Sequence, residues 1–194
     1  MIKAIIFDCF GVVLTDALLL VRQELQRDDP QAAAQVKDII TANNHGLMEP
    51  AESNKRIAEV LHISVDELKD RVAGSEVRNK ELLTYISSLR KKYKTAMLSN
   101  IAATSLARRF PHNELDEYFD VVVASGEIGF AKPEPEAYEI TADRLGVRLN
   151  ECVFTDDREL FCDGATSVGM QAILYTNFAQ FKQELNVVLS RENS

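Results

Sequence analysis

The 194-residue chain sets 22 Lys and Arg against 30 Asp and Glu, a formal charge of -8, with 46% hydrophobic residues; that is enough to bury a core as one domain with an insertion or as two small domains. Nucleic-acid affinity rests on clustered cations, so the acidic balance argues against a nucleic-acid partner and for small-molecule chemistry. Cys9, Cys152 and Cys162 offer no disulfide framework or C-x-x-C pair, and no apolar run is long enough for a signal peptide or a membrane span; a reduced cytoplasmic protein free of membranes is the expectation.

The first apolar run, KAIIF (3–7), predicts a strand. Residues 17–27 and 31–42 read as helices, the second with Ala32, Ala33, Val36, Ile39 and Ile40 at helical spacing. Pro50 opens a third helix with Ile57, Val60 and Leu61 on one face, and Ser64 to Glu67 forms the S-x-x-E capping box of a fourth. A helix over 81–92, with Leu82, Leu83, Ile86 and Leu89, leads into a strand at KTAML (94–98). Further strands are predicted at DVVVA (120–124), CVF (152–154) and QAILY (171–175), and a helix over 135–145 opens with Pro135 and stops at Gly146. Short continuous apolar runs alternating with helices predict an α/β fold, a Rossmann-like three-layer parallel sheet. The stretch from residue 8 to residue 93 exceeds a single crossover helix. The expected organisation is a core of residues 1–15 and 81–194 with an all-helical cap at 16–80. The segment TANNHGLME (41–49) joins two cap helices and reads either as a wall that faces the site and selects substrate or as a solvated turn; it stays outside the candidate site.

In an open parallel sheet, ligands bind beyond the carboxyl ends of the strands. Those positions hold Asp8, Ser99 with Asn100, Lys132, and Asp156 with Asp157. The set suits phosphoryl transfer: a carboxylate attacks, Lys132 and Asn100 hold anionic oxygens, and the aspartate pair binds a divalent cation. Clustered carboxylates repel unless a cation sits among them, and hard oxygen ligands favour Mg²⁺. Each residue also has a structural reading. Asp8 or Asp156-Asp157 could serve a turn, Ser99-Asn100 could cap a helix beginning near Ala102, and Lys132 could be a solvated surface lysine. Gly11 serves either a tight turn or a close backbone approach. Cys9 reads as core filler, and His45, His62 and His112 have no ligand spacing.

In order, IIFDCFGVV, MLSN, GFAKPEPEAY and VFTDDRE resemble the four motifs of the haloacid dehalogenase superfamily, in its phosphatase-like branch with a helical cap between motifs one and two. The resemblance implies that Asp8 is the nucleophile, which forms an aspartyl-phosphate. It makes Ser99 the hydroxyl that contacts the transferring group and Lys132 the lysine that steadies nucleophile and phosphate. Mg²⁺ would be held by Asp8, the backbone carbonyl of Phe10, and Asp157 with Asp156 beside it. The implied substrate is a small phosphorylated metabolite, and a monomer or weak homodimer is expected. Phe10 stands where phosphatases of this family place the aspartate that acts as acid and then base, and Phe161 where relatives commonly carry asparagine. General acid–base help is worth ~10²–10⁴ in rate, so at about 1.4 kcal/mol per factor of ten its loss costs roughly 3–5 kcal/mol. Turnover should then be weak or restricted to good leaving groups. Two other readings remain. A metal-independent 2-haloacid dehalogenase carries DxYGT where this chain has DCFGV, but lacks the Asp156-Asp157 pair; the other is a catalytically feeble regulatory protein that binds a phosphate ligand.

Overall fold

Alternation within the central strand builds the two sides of the core. The computed structural model describes residues 1–112 and 114–191. Every residue of β1 (Ala4–Phe7) is buried, and successive side chains point to opposite faces. Ile5 and Phe7 join Leu82, Ile86, Phe181 and Leu185 on one face; Ala4 and Ile6 join Ala137, Tyr138, Ala142 and Phe154 on the other. Five parallel strands, β1, β2 (Lys94–Ser99), β3 (Val121–Ala124), β4 (Cys152–Asp156) and β5 (Gln171–Leu174), lie in the order β3-β2-β1-β4-β5. Phe7 is level with Met97 on one neighbour and Thr155 on the other, so the ends of β1, β2 and β4 share one rim.

The apolar faces of α5 (Lys80–Leu89) and α10 (Phe178–Arg191) cover one side of the sheet, and those of α8 (Pro135–Leu145) and α9 (Glu159–Ser167) the other. The result is the expected three-layer α/β core. Gly146 ends α8 at φ +66°, the left-handed cap that glycine adopts without strain. Two short helices, α6 (Ala103–Arg109) and α7 (Ser125–Ile128), follow β2 and β3.

Between β1 and α5 lie four helices, α1 (Ala17–Asp28), α2 (Pro30–Asn44), α3 (Pro50–Val60) and α4 (Val65–Ser75), packed around Val36, Ile57, Ala58 and Leu68. Their starts are chemically defined. Asp16 accepts from the Leu19 N–H at 2.9 Å, Asp29 from the Ala32 N–H at 2.9 Å, and the Ser64–Glu67 capping box forms in both directions. The insert joins the sheet through a narrow neck, where the Thr15 N–H donates to the Val77 carbonyl (3.1 Å) and the Asn79 N–H to the Val13 carbonyl (2.9 Å). Among the described residues no helix is long and apolar enough to cross a membrane. All three cysteines are buried free thiols of the sheet core.

Candidate active site

Asp8 is the first residue past β1, its N–H donating to the Thr155 carbonyl at 2.9 Å. Asp8 is 6% exposed and its carboxylate accepts from Lys132 Nζ at 2.6 Å; the same ammonium donates to Asp156 Oδ2, also at 2.6 Å. Lys132 itself is only 3% exposed, which rules out a solvated surface lysine. The rings of Phe161 and Phe154 lie 5.0 and 5.3 Å from its Nζ and favour the cation through their faces. Asn100 sets the loop that carries this lysine. Its Nδ2 donates to the Lys132 carbonyl (2.9 Å), and its Oδ1 accepts the Lys132 N–H (2.8 Å). The amide therefore acts chiefly on the backbone of Lys132, with one N–H left for a ligand.

Asp156 is fully buried and engaged at both oxygens, by Lys132 and by the Arg158 N–H at 3.0 Å. Asp157 is half-buried and packs against Gly11. A Cβ at Gly11 would fall 2.3 Å from Asp157 Oδ2, and φ there is +87°, so the glycine serves both close approach and a left-handed turn. Within that turn the Val13 and Leu14 N–H groups both donate to the Cys9 carbonyl, at 2.9 and 2.7 Å, which fixes the course of the backbone at Phe10.

Carboxylate oxygens of Asp8, Asp156 and Asp157 lie within 4.8 Å of one another. Three acids face one ammonium, and the titration reflects the surplus of negative charge. Burial raises the Asp8 carboxyl, the Asp156 charge raises it further, and Lys132 only partly opposes them. Asp157 is raised by burial and then by Asp156. Burial pulls Lys132 down, but Asp156 and Asp8 together hold it above the ordinary lysine value. The cluster is satisfied by an added proton or, better, by a divalent cation; a set of hard carboxylate oxygens around surplus negative charge fits Mg²⁺.

Ser99, at the end of β2, is fully buried, and its Oγ has no hydrogen-bond partner among the described residues. Such an orphan is costly in a folded protein unless a ligand completes it. It does not cap α6, whose N-cap Ala102 has no side-chain hydrogen bond. At Phe10 there is a half-buried ring with the Arg109 guanidinium 5.4 Å from its centroid. Arg109 in turn pairs with Glu76 at 2.7 Å.

A cavity of about 370 Å³ opens over this rim, lined from the core by Asp8, Phe10, Asn100 and Lys132 and from the insert by Asp16, Arg22, Asn43 and Asn44. Asn43 and Asn44 of the segment 41–49 are thus part of the wall, while Thr41, Gly46, Leu47 and Glu49 are exposed. The Asn44 carbonyl accepts from Ser125 Oγ, Gly46 packs on the Gly126 backbone, and His45 Nε2 lies 3.4 Å from Glu134 Oε2. The sequence signal for this wall was the Asn43-Asn44 pair at a helix end, indistinguishable by itself from ordinary turn chemistry.

Residues 2–160 match the family of haloacid dehalogenase-like hydrolases. The chain is 42% identical over 66 residues to phosphatase MT3486 of Mycobacterium tuberculosis, across 34% of this chain and only 30% of that protein's length. It is 26% identical to the D-ribitol-5-phosphate phosphatase of Bacteroides thetaiotaomicron, across 98% of this chain and 100% of that protein. Its fold is similar to that of a haloacid dehalogenase family enzyme of the same organism solved with magnesium and inorganic phosphate, at a TM-score of 0.73 and 24% identity, over 91% of this chain and 95% of the other. With the parallel sheet, the rim of carboxylates and a family match over most of its length, the chain belongs to the haloacid dehalogenase-like hydrolases.

Proposed function

We propose that this chain is a Mg²⁺-dependent phosphatase of small phosphorylated metabolites that works through an aspartyl-phosphate on Asp8, with residues 16–80 serving as a cap over a core of 1–15 and 81–194. The observation that carries the reading is the Lys132 ammonium held between Asp8 and Asp156 at 2.6 Å each, beside Asp157 and the orphan hydroxyl of Ser99. In the first step an Asp8 oxygen attacks phosphorus and the ester oxygen leaves with the bonding pair. Lys132 opposes the charge on nucleophile and phosphoryl oxygens, and Ser99 Oγ gains its missing partner from a phosphoryl oxygen. In the second step water attacks the aspartyl-phosphate, releasing inorganic phosphate and regenerating Asp8. Mg²⁺, when bound, would be held by Asp8, the Phe10 carbonyl and Asp157 with Asp156 beside it, and supplies charge neutralisation at the transferring group. Phe10 offers no proton to the leaving oxygen, so aryl and acyl phosphates are favoured over alkyl esters. A similar protein named for a sugar-alcohol phosphate and a fold relative solved with magnesium and phosphate support the same chemistry.

The test is phosphate release from an aryl phosphate with Mg²⁺ and with EDTA, in wild type and Asp8→Asn. Hydrolysis that requires both Mg²⁺ and Asp8 is expected. Hydrolysis undiminished in Asp8→Asn would overturn the reading, and halide release from 2-chloropropionate in EDTA would replace it with dehalogenation.

A further inference from the structure

Although the chain as a whole is acidic, its cavity is lined by more cations than carboxylates: Arg22, Lys69, Arg108, Arg109, Lys132 and Arg158 face Asp8, Asp16 and Glu76. Three of the cations already have partners. Lys132 is bound by Asp8 and Asp156, Arg109 pairs with Glu76 at 2.7 Å, and Lys69 reaches Asp66 at 3.1 Å. The other three, Arg22, Arg108 and Arg158, make no salt bridge among the described residues.

Arg108 and Arg158 are exposed, each with one contact to a residue of the wall, and Arg22 is half-buried. The Arg158 guanidinium lies 4.3 Å from the centre of the Phe161 ring, whose centre is also 5.0 Å from Lys132 Nζ. Arg108 donates to Ser105 Oγ at 3.1 Å, and Ser105 is a buried residue of the same wall. Arg22, half-buried on α1 of the insert, and Arg158, from the core, line the same cavity as Asp16, and both oppose the upward pull of burial on its carboxyl. Unpaired guanidinium groups that share a concave wall repel one another and raise the local positive potential, which a bound anion relieves. Arginine also presents a planar fork that matches a carboxylate or phosphate at two oxygens. Asp8 is taken by Lys132 and Glu76 by Arg109, which leaves Asp16 as the one carboxylate of the wall facing these three guanidinium groups; a neutral polyol end would leave that surplus of positive charge uncompensated.

We propose that the preferred substrate carries a second anionic group, a carboxylate or a second phosphate, bound by Arg22, Arg108 and Arg158 while its scissile phosphate sits at Lys132. This deepens the phosphatase reading and rests on it. The group is recognised by its charge and paired oxygens, so a carboxylate and a phosphate are alternative sources of the same chemistry, and matched substrates tell them apart.

The experiment measures kcat/KM with Mg²⁺ for 3-phosphoglycerate against glycerol 3-phosphate, which differ by a carboxylate in place of a hydroxymethyl group, and for fructose 1,6-bisphosphate against fructose 1-phosphate. Calorimetric titration of the same four compounds into the Asp8→Asn variant reads recognition without turnover. The doubly anionic member of one pair should be preferred by about tenfold or more, and the pair that shows it names the group. Arg22→Gln, Arg108→Gln and Arg158→Gln should each lower that preference by up to about tenfold, the usual scale of one charge-assisted contact. Their thermal midpoints serve as the folding control. Equal use and equal binding of both members in both pairs, or a preference untouched by all three substitutions, would overturn the second-anion proposal while leaving the phosphatase reading in place. If none of the four compounds binds, the second-anion proposal is overturned and the phosphatase reading stands; if the aryl phosphate is hydrolysed equally well by Asp8→Asn, the phosphatase reading falls and this proposal falls with it.

Discussion

Replacing Phe10 with aspartate is the sharpest test of how this site handles protons. A carboxyl group there would stand where general acid–base help is worth ~10²–10⁴ in rate. The surroundings decide how much of that is realised. The Arg109 guanidinium lies 5.4 Å from the Phe10 ring centre, a range at which an opposite charge lowers a carboxyl pKa by ~1–3 units and makes it a poorer acid at neutral pH. Glu76 already neutralises Arg109 at 2.7 Å, and the half-buried position desolvates the new group, so the depression should fall at the small end of that range. The expected result is a gain of ~10-fold or more for alkyl phosphates, short of the full general-acid effect. Adding Arg109→Gln should raise it further by removing the stabilising cation. Aryl phosphates need less protonation of the leaving group and should gain less. Steady-state phosphate release on a paired aryl and alkyl ester, with rapid-quench detection of the aspartyl-phosphate, reads both steps; wild type should accumulate the intermediate and Phe10→Asp should not. Wild-type turnover of alkyl esters at the aryl rate, with no gain in Phe10→Asp, would refute the assignment of the missing proton to position 10.

Lys132→Met should destabilise the metal-free protein by about 3–5 kcal/mol in urea denaturation, because Asp8 and Asp156 would lose their shared buried partner; a loss below about 1 kcal/mol would contradict that pairing. Gly11→Ala should cost ~1–2 kcal/mol from its left-handed backbone and displace Asp157, whose Oδ2 occupies the space of the added Cβ at 2.3 Å. Mg²⁺ affinity measured by calorimetry should fall by ~10-fold or more, and an unchanged isotherm would sink the metal role of Asp157. In EDTA, stability should decline as pH rises from the ordinary carboxylate range towards neutrality. Asp8 and Asp157 are raised in the folded state, so the folded protein binds more protons than the unfolded one over that window. Mg²⁺ should flatten or reverse the slope, and a flat profile in EDTA would contradict the surplus of buried negative charge.

The sheet was legible because strands buried on both faces must be continuous apolar runs, and the long interval from residue 8 to residue 93 could only be an insertion. Shorter elements carried less signal. α6 has seven residues, of which Ser105 and Leu106 are buried, too few for a helical period to register. At the rim, position after a strand marks Asp8, Lys132 and Asp156 as one set, and the fold brings them into contact. What no local pattern conveyed was the reciprocal pairing of Asn100 with the Lys132 backbone, since it depends on two loops meeting across the sheet. Burial of Lys132 was hidden for the same reason, and a lysine beside a proline reads as loop chemistry until Phe154 and Phe161 close around it. Arg22, Arg108 and Arg158 come from three separate segments, so their place in the wall of one cavity is a property of the tertiary fold alone.

The placement of the thiols supplies an internal clock. Cys9 sits between the strand end and the Phe10 turn, Cys152 in β4 and Cys162 in α9, all buried. Burial, with the neighbouring carboxylates of Asp8, Glu151 and Asp156, raises the three thiols, Cys152 to about 12 and Cys162 to about 11. Only the thiolate reacts with alkylating or disulfide reagents, so at pH 8 modification of the native chain must wait for the sheet core to open. The inserted helices α1–α4 and the segments joining them contain no cysteine. Thiol trapping of the unaltered protein therefore times the opening of the core while remaining blind to motion of α1–α4, and amide exchange over those helices times the insert. A ligand that slows the second clock without touching the first would be gripping the wall of the cavity rather than stabilising the sheet beneath it.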